Sequence, residues 1–129
     1  MINKKEALTY DDVLLVPQYS DIRSRSEVSV ESKLGSVVRR LPIIASPMDT
    51  ISELEMATAM SQAGALAVIH RYNSIREQSD IVEGVVFAGC IAAAAIGTAG
   101  DYLDRAAALH DAGATILCCL LYTSPSPRD

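Results

Sequence analysis

Short apolar runs alternate with polar segments of helical character along most of the chain. The first run begins at Leu41, and later runs occupy residues 65–69, 90–96 and 115–121. They are apolar at consecutive positions, which is typical of parallel strands that are covered on both faces. The pattern therefore predicts three βα units followed by a fourth strand from Thr115 to Leu121.

Start and stop signals bracket the predicted helices. A serine or threonine three residues before an acid can form a capping box at a helix N-terminus. The chain offers three such pairs: Ser52 with Glu55, Ser74 with Glu77, and Thr98 with Asp101. Glycine can adopt the left-handed conformation that ends a helix. Three glycines are predicted to do so: Gly64, Gly84 and Gly113.

The overall composition limits the possible classes of protein. With 129 residues, of which 50% are hydrophobic, the chain is long enough for one modest domain or for part of a larger one. Its net charge of −5 argues against nucleic-acid binding, since phosphate backbones attract clustered Lys and Arg. The dense basic patch that does exist is small; it consists of Arg23, Arg25, Arg39 and Arg40.

Neither a membrane segment nor a secretion signal is expected. Residues 84–100 carry no charge, but they are rich in alanine and glycine and fall short of the ~20 strongly apolar residues of a membrane span. Residues 1–10 are polar and charged where a secretory peptide needs an apolar core. These features predict a cytoplasmic protein without nucleic-acid or membrane partners.

The three cysteines do not suggest a metal site. Cys90, Cys118 and Cys119 lack metal-ligand spacing and lie in apolar runs, so they are predicted to be buried thiols within strands. No metal is expected. The chain also lacks a GxGxxG turn, which argues against a Rossmann-type cofactor site.

Four motifs follow one another in a recognisable order. They are TYDDVLLVP at residues 9–17, RSRSEV at 23–28, LPIIASPMDT at 41–50 and AVIHR at 67–71. Together they resemble the amino-terminal part of the IMP dehydrogenase and GMP reductase family, over residues 7–117. The resemblance implies an α/β fold, namely a partial TIM (β/α)8 barrel. Residues 1–40 would then be an N-terminal extension, and residues 41–118 the first half of the barrel.

A closed barrel of this type typically needs ~250 residues. The chain is therefore expected to be a fragment, about half of the enzyme. Residues 119–129 depart from the family pattern, and their Ser-Pro repeats predict a non-native tail, translated from sequencing-adapter read-through at the end of an incomplete gene. The alternative is a natural flexible terminus, because Ser-Pro dipeptides favour extended chain.

The resemblance places nucleotide contacts in the loop after the first predicted strand, at Ser46 and Met48. A serine hydroxyl can hydrogen-bond a ribose or phosphate oxygen, and a methionine offers the base a soft apolar surface. Without a ligand role, Ser46 would be a turn residue before Pro47, and Met48 would fill the core.

Three further positions match the cofactor region of the family. Ser24 and Arg25 correspond to positions that, in the reductase branch, hold the dinucleotide of a neighbouring subunit, where an arginine fork suits a phosphate; a solvated basic loop is the alternative. Arg71 matches a position usually held by lysine, so the charge is kept and the geometry is changed. His70, at the end of the second predicted strand, could orient a ligand or hydrogen-bond a loop, and the structural role is the one expected.

The resemblance also implies a reaction. In the family a cysteine thiolate attacks C2 of a purine nucleotide, IMP or GMP, and NAD or NADP exchanges a hydride; the full-length enzyme is expected to be a homotetramer. The nucleophile belongs to a Gly-Ser-x-Cys loop that this chain does not contain. No catalytic residue is therefore assigned, and the chain alone is expected to be inactive.

Sequence features divide between the two branches of the family. The direct passage from Gly84 into the third predicted strand leaves no room for a regulatory CBS pair, and with the RSRSEV motif this favours GMP reductase slightly. Residues 94–98, AAIGT, look more like the dehydrogenase. Two alternatives stay open: an FMN-dependent barrel of the nitronate monooxygenase type, which lacks the YDDVLL segment, and an inert partial product.

Overall fold

The computed structural model describes residues 8, 9 and 11–119. A short 3-10 turn, Arg25–Glu27, precedes the regular elements. Six strands and three helices follow in this order: β1 Ser32–Leu34, β2 Val37–Arg39, β3 Ile44–Ala45, α1 Leu54–Gln62, β4 Leu66–Ile69, α2 Ile75–Phe87, β5 Ala93–Ile96, α3 Tyr102–Asp111 and β6 Ile116–Cys119. From β3 onward, strands and helices alternate as predicted.

Strands β3 to β6 form a four-stranded parallel sheet in sequence order. The register pairs Ile44 with Leu66, Val68 with Ala93, and Ala93 with Ile116. Since each crossover passes through a helix, all four strands run in the same direction and end at the same edge of the sheet. The predicted α/β class with a parallel sheet is confirmed.

The observed strands are shorter than the apolar runs that predicted them. The third predicted strand began at Cys90, whereas β5 begins at Ala93, so the placement of Cys90 in a strand was wrong. The fourth was predicted to reach Leu121; β6 ends at Cys119, and residues 120 and 121 lie outside the described part of the chain. Cys119, placed in the non-native tail by the sequence, pairs with Ile96 in the sheet.

An antiparallel hairpin precedes the parallel sheet and was not predicted. Strands β1 and β2 pair with Leu34 opposite Val37, which leaves the two-residue turn Gly35–Ser36. Gly35 has a φ of 61°, a conformation that glycine adopts without strain. The hairpin contacts the sheet through Arg39, whose Nη1 donates a hydrogen bond of 3.0 Å to the carbonyl of Ala65.

The core has two layers because both faces of the parallel strands are covered. Between sheet and helices, Ile69, Val82, Val85 and Leu109 are fully buried. On the opposite face, four buried residues pack on one another: Leu66, Val68, Ala93 and Ala95. Burial of successive residues on opposite faces explains why the sequence shows unbroken apolar runs.

One of the three predicted capping boxes is confirmed. The Ser74 hydroxyl accepts from the Glu77 N–H, while the Glu77 carboxylate accepts from the Ser74 N–H, and α2 starts there. The boxes at Ser52 and Thr98 were wrong. Helices α1 and α3 begin after Glu53 and Asp101, and neither of these two side chains caps its helix.

The glycine predictions are confirmed at two of three positions. Gly64 and Gly113 follow α1 and α3 with φ values of 85° and 96°. The prediction for Gly84 was wrong, since it lies inside α2, which ends before Gly89. A Cβ on Gly84 would stand 2.8 Å from Leu54 Cδ1, so this glycine permits close packing of α1 on α2.

The cysteines are less buried than predicted. Cys90 and Cys118 are half-buried, and Cys119 is exposed. Within residues 8–119, apart from residue 10, no cluster of His, Cys, Asp and Glu could hold a metal ion. None of the helices in the same part of the chain has the length and hydrophobicity needed to cross a bilayer.

Replacing Ser74 by alanine is expected to lower the free energy of unfolding by about 1 kcal/mol, because the orphan amide of Glu77 loses its acceptor. Thr98→Ala is the matched control, since Thr98 is exposed and caps no helix. Urea unfolding of both variants provides the comparison. Equal losses in the two variants would show that the capping box contributes nothing.

Ser74→Ala is also expected to change the pKa of Glu77. Hydrogen bonds from the Ser74 hydroxyl and backbone hold the pKa of Glu77 below its usual value. A carboxyl group with a lowered pKa stabilises the fold at pH values above its ordinary pKa. That contribution is lost as the pH falls through the lowered pKa. An NMR titration is expected to find the pKa of Glu77 lowered in the parent and raised toward its usual value in Ser74→Ala.

Candidate functional site

The loop that follows β3 is fixed by its own backbone. The carbonyl of Ser46 accepts from the Met48 N–H at 2.8 Å and from the hydroxyl of Ser52. The carbonyl of Met48 accepts from the Ser52 N–H at 2.8 Å and from the Ile51 N–H at 3.0 Å. The loop is therefore a compact turn held by hydrogen bonds to the carbonyls of Ser46 and Met48.

This arrangement leaves the two predicted ligand contacts available. Ser46 is exposed, and its carbonyl, not its hydroxyl, takes part in the hydrogen bonds of the turn. Met48 is 47% exposed, so it does not fill the core. The structure brings both residues together at the carboxyl edge of the parallel sheet, and ligands of α/β sheets bind at the carboxyl ends of the strands.

Ser52 is a residue whose role the sequence did not reveal. It is fully buried, and its hydroxyl donates to Ser46 where a capping role toward Glu55 was predicted. The spacing to Glu55 gave a false signal, because the chain turns once more before α1 begins. The surrounding LPIIASPMDTIS segment carries no local pattern that distinguishes a buried loop serine from a cap.

His70 joins the loop after β3 to the loop after β4. Its backbone N–H donates to the Ser52 carbonyl at 3.4 Å, and its side chain is 3% exposed. The ring Nδ1 accepts from the Tyr72 N–H at 3.1 Å, so in the neutral ring Nε2 carries the proton and donates to Glu53 Oε1 at 3.1 Å. The structural role predicted for His70 is confirmed.

A buried amide connects the ends of two central strands. Gln78 is fully buried in α2, and its Nε2 donates to the carbonyls of Ile69 and Ala95 at 3.4 and 2.9 Å. Its Oε1 accepts from Arg105 Nη1 at 2.8 Å. Three of its hydrogen-bonding sites are thus used, as burial of a polar side chain requires.

Arg105 extends this network to the loop after β4. The guanidinium donates to the Asn73 carbonyl at 3.1 Å, and its Nη2 and Nε donate to Asp101 Oδ2 at 2.7 and 3.1 Å. The hydrogen bonds from Arg105 hold the pKa of Asp101 below its usual value, with a smaller contribution from the charge of Arg71. A buried arginine is tolerated here because its fork is matched by acceptors.

Arg71 lies at the same edge, directly after His70. A Cβ on Gly97, which follows β5, would stand 2.9 Å from Arg71 Nη1 and 3.3 Å from its Cζ. The missing side chain at Gly97 therefore leaves room for the planar guanidinium, a bulkier group than the lysine usually found in the resembled family.

Ser24 and Arg25 lie on an exposed segment before the hairpin. The Ser24 hydroxyl accepts from the Ser26 N–H at 3.3 Å and lies 2.8 Å from the Ser26 hydroxyl. Its carbonyl accepts from the Glu27 N–H. These hydrogen bonds stay within residues 24–27, so they do not place the segment against the loops at the sheet edge. The cofactor role of both residues remains a prediction.

An open groove of about 890 Å³ lies beside the loop after β3, on the side of α1. Its wall contains three carboxylates, from Asp49, Glu53 and Glu55, together with apolar residues of α1. Ser46 and Met48 do not line it. Three acids disfavour phosphate groups, so the groove is electrostatically unsuited to the phosphate of a nucleotide.

Known proteins resemble this chain over most of the residues that the structure describes. The model of the "IMP dehydrogenase / GMP reductase domain" matches residues 7–120. An inosine-5'-monophosphate dehydrogenase of Nitrosopumilus maritimus is 46% identical over 88 residues, which cover 67% of this chain and 18% of that protein. A GMP reductase of Leishmania donovani is 44% identical over 81 residues, 62% of this chain and 16% of that protein. The chain thus spans less than a fifth of the length of these curated relatives.

Ser52→Ala is expected to loosen the loop after β3, because the Ser46 carbonyl loses one of its two donors. The predicted loss is about 1 kcal/mol of stability, with faster hydrogen exchange at the amides of Met48 and Ser52. Thr50→Ala, an exposed change in the same loop, is the control. Unchanged exchange in Ser52→Ala would show that the turn holds without the hydroxyl.

Arg105→Met is expected to lower the free energy of unfolding by roughly 1–3 kcal/mol, since buried acceptors of Gln78 and Asn73 lose their donor. The pKa of Asp101 should rise toward its ordinary value of 3.8. A lowered pKa of Asp101 stabilises the folded parent at pH values above its titration, and this contribution disappears as the pH falls and Asp101 is protonated. The free energy of unfolding of the parent should therefore fall more than that of the variant when the pH is lowered through this range. Arg76→Met, on the exposed side of α2, is the control.

Proposed function

The chain belongs to the IMP dehydrogenase and GMP reductase family, and from this premise we propose that it forms the opening part of a purine nucleotide oxidoreductase. The family model supports this over residues 7–120. The observation that carries the proposal is the loop after β3, in which Ser52 fixes the backbone while Ser46 and Met48 stay exposed.

In this proposal the loop binds IMP or GMP. The Ser46 hydroxyl donates to a ribose or phosphate oxygen, and the Met48 side chain lies against the purine base. The turn is held before the ligand arrives, so little conformational entropy is lost on binding. Ser52 and His70 act as positioning residues, because they hold the loop and touch no ligand.

NAD or NADP is the proposed cofactor, and the donor chemistry of this chain fits its phosphates. Arg71, at the sheet edge, and Arg25, on the exposed segment, carry guanidinium forks that match phosphate oxygens, and Ser24 adds a hydroxyl. When bound, the nicotinamide supplies the hydride exchange at purine C2. The residues of this chain hold and orient the dinucleotide, while the nucleophilic cysteine comes from a loop outside this sequence.

We further propose that the parallel sheet continues into a TIM barrel. Ile44 on β3 and Leu117 on β6 are 54% and 40% exposed, and these strands are the two edges of the sheet. Exposed apolar side chains on unpaired edges suit strands that pair further in a closed barrel. The assembled enzyme is proposed to be a cytoplasmic homotetramer, with a slight preference for the reductase.

Chimeric enzymes test this function. Residues 7–118 would replace the matching segments of the Nitrosopumilus dehydrogenase and the Leishmania reductase. We expect each chimera to retain turnover, with kcat/KM within about tenfold of the recipient enzyme. A tenfold difference corresponds to ~1.4 kcal/mol of transition-state stabilisation. The reductase chimera is expected to keep the larger share of its activity. A folded chimera that binds no purine nucleotide would contradict the proposal.

Point variants in an active chimera test the assigned roles. Ser46→Ala is expected to lower kcat/KM for the nucleotide about tenfold through loss of one hydrogen bond to a charged or polar oxygen. Thr50→Ala, in the same loop, should leave it unchanged.

The parent chain of 129 residues is expected to show no purine-dependent NAD(P)H turnover, and measurable turnover would refute the assignment of the nucleophile to another segment.

A further inference from the structure

We propose that a cavity between the hairpin and the start of the parallel sheet binds a small oxyanion, a phosphate or a carboxylate, through Arg39. The cavity has a volume of about 140 Å³ and lies at the opposite end of the strands from the proposed nucleotide site. The inference is independent of the proposed function.

The first observation is the burial of Arg39. The sequence placed it in a small basic patch, and in the structure it is only 7% exposed. Its Nη1 donates to the Ala65 carbonyl at 3.0 Å. Its Nε and Nη2 are buried and have no hydrogen-bond partner among the described residues. A buried guanidinium with two unused donors is unfavourable unless an acceptor completes it.

The second observation is the chemistry of the cavity wall. Two basic residues, Arg39 and the exposed Lys33, line the cavity together with Ser32. No acidic residue is found among the described residues that line the cavity, although the chain has a net charge of −5. The remaining wall is apolar and partly exposed, with Leu34, Ile43 and Ile44 between 45% and 55% exposed, so the cavity is open to solvent and an anion can enter it.

The third observation is the size of the cavity. A water molecule takes about 30 Å³ of liquid, so 140 Å³ accommodates an anion of a few heavy atoms. The two free donors of Arg39 are adjacent on one side of the guanidinium, which is the geometry that binds two oxygens of one carboxylate or phosphate. Since both nitrogens are covered in the present arrangement, binding requires a small rotation of the guanidinium while Nη1 keeps its bond to Ala65.

The discriminating experiment measures thermal unfolding of the 129-residue chain in increasing inorganic phosphate, and separately in acetate, against chloride at matched ionic strength. A ligand that binds only the folded state raises the unfolding midpoint with its concentration. The parent should show this rise. Arg39→Met should lose it, with an anion dissociation constant at least tenfold weaker by calorimetry. A response to phosphate and not to acetate assigns the site to phosphate, and a response to both assigns it to oxyanions in general.

Arg40→Met is the matched control, because Arg40 is the exposed neighbour and does not line the cavity. It also corrects for the general stabilisation that phosphate gives any folded protein. Arg39→Lys keeps the charge without the fork and is expected to retain a weaker response. Equal midpoint shifts in the parent and Arg39→Met, or a parent whose midpoint does not rise with either anion beyond the chloride reference, would overturn the proposal.

Discussion

The buried side-chain amide of Gln78 is the contact on which the functional edge of the molecule depends. It donates to Ile69, the last residue of β4, and to Ala95, the residue before the last in β5, and it accepts from Arg105. Strand ends are where sheet pairing stops, so their carbonyls need other partners or water. Gln78 supplies these partners from α2, and Arg105 of α3 holds Gln78 in place, so protein groups fix the edge and keep the loops above it in one arrangement.

Hydrogen bonds connect the loops at this edge to one another and to the helices beneath them. Ser52 holds the loop after β3, His70 joins that loop to the one after β4, and Arg105 holds the latter through Asn73. The side chains proposed to contact ligands, Ser46 and Met48, are therefore carried by a backbone that is already hydrogen-bonded. This division between buried positioning residues and exposed contact residues is what a preorganised binding site requires.

Much of the fold followed from local sequence, and the rest depended on contacts distant along the chain. Apolar runs and the Ser74 box predicted the alternating elements because their causes lie within a few residues. The hairpin was missed although Gly35–Ser36 between short strand-forming runs is a recognised turn signal. The roles of Ser52 and Arg39 could not be predicted, since their burial depends on partners that only the folded chain brings near. For the site, motifs indicated Ser46 and Met48, but not what holds them in place.

The most direct measurement is a crystal structure of a full-length enzyme of this family that carries residues 7–118 of this chain, with IMP or GMP bound. The purine is expected to lie against the side chain of Met48, with Ser46 Oγ within hydrogen-bond distance of a ribose or phosphate oxygen, and with the Ser52 to Ser46 hydrogen bond unchanged. A nucleotide bound away from the loop after β3, with both side chains left in solvent, would contradict the view that this preorganised loop is the binding site.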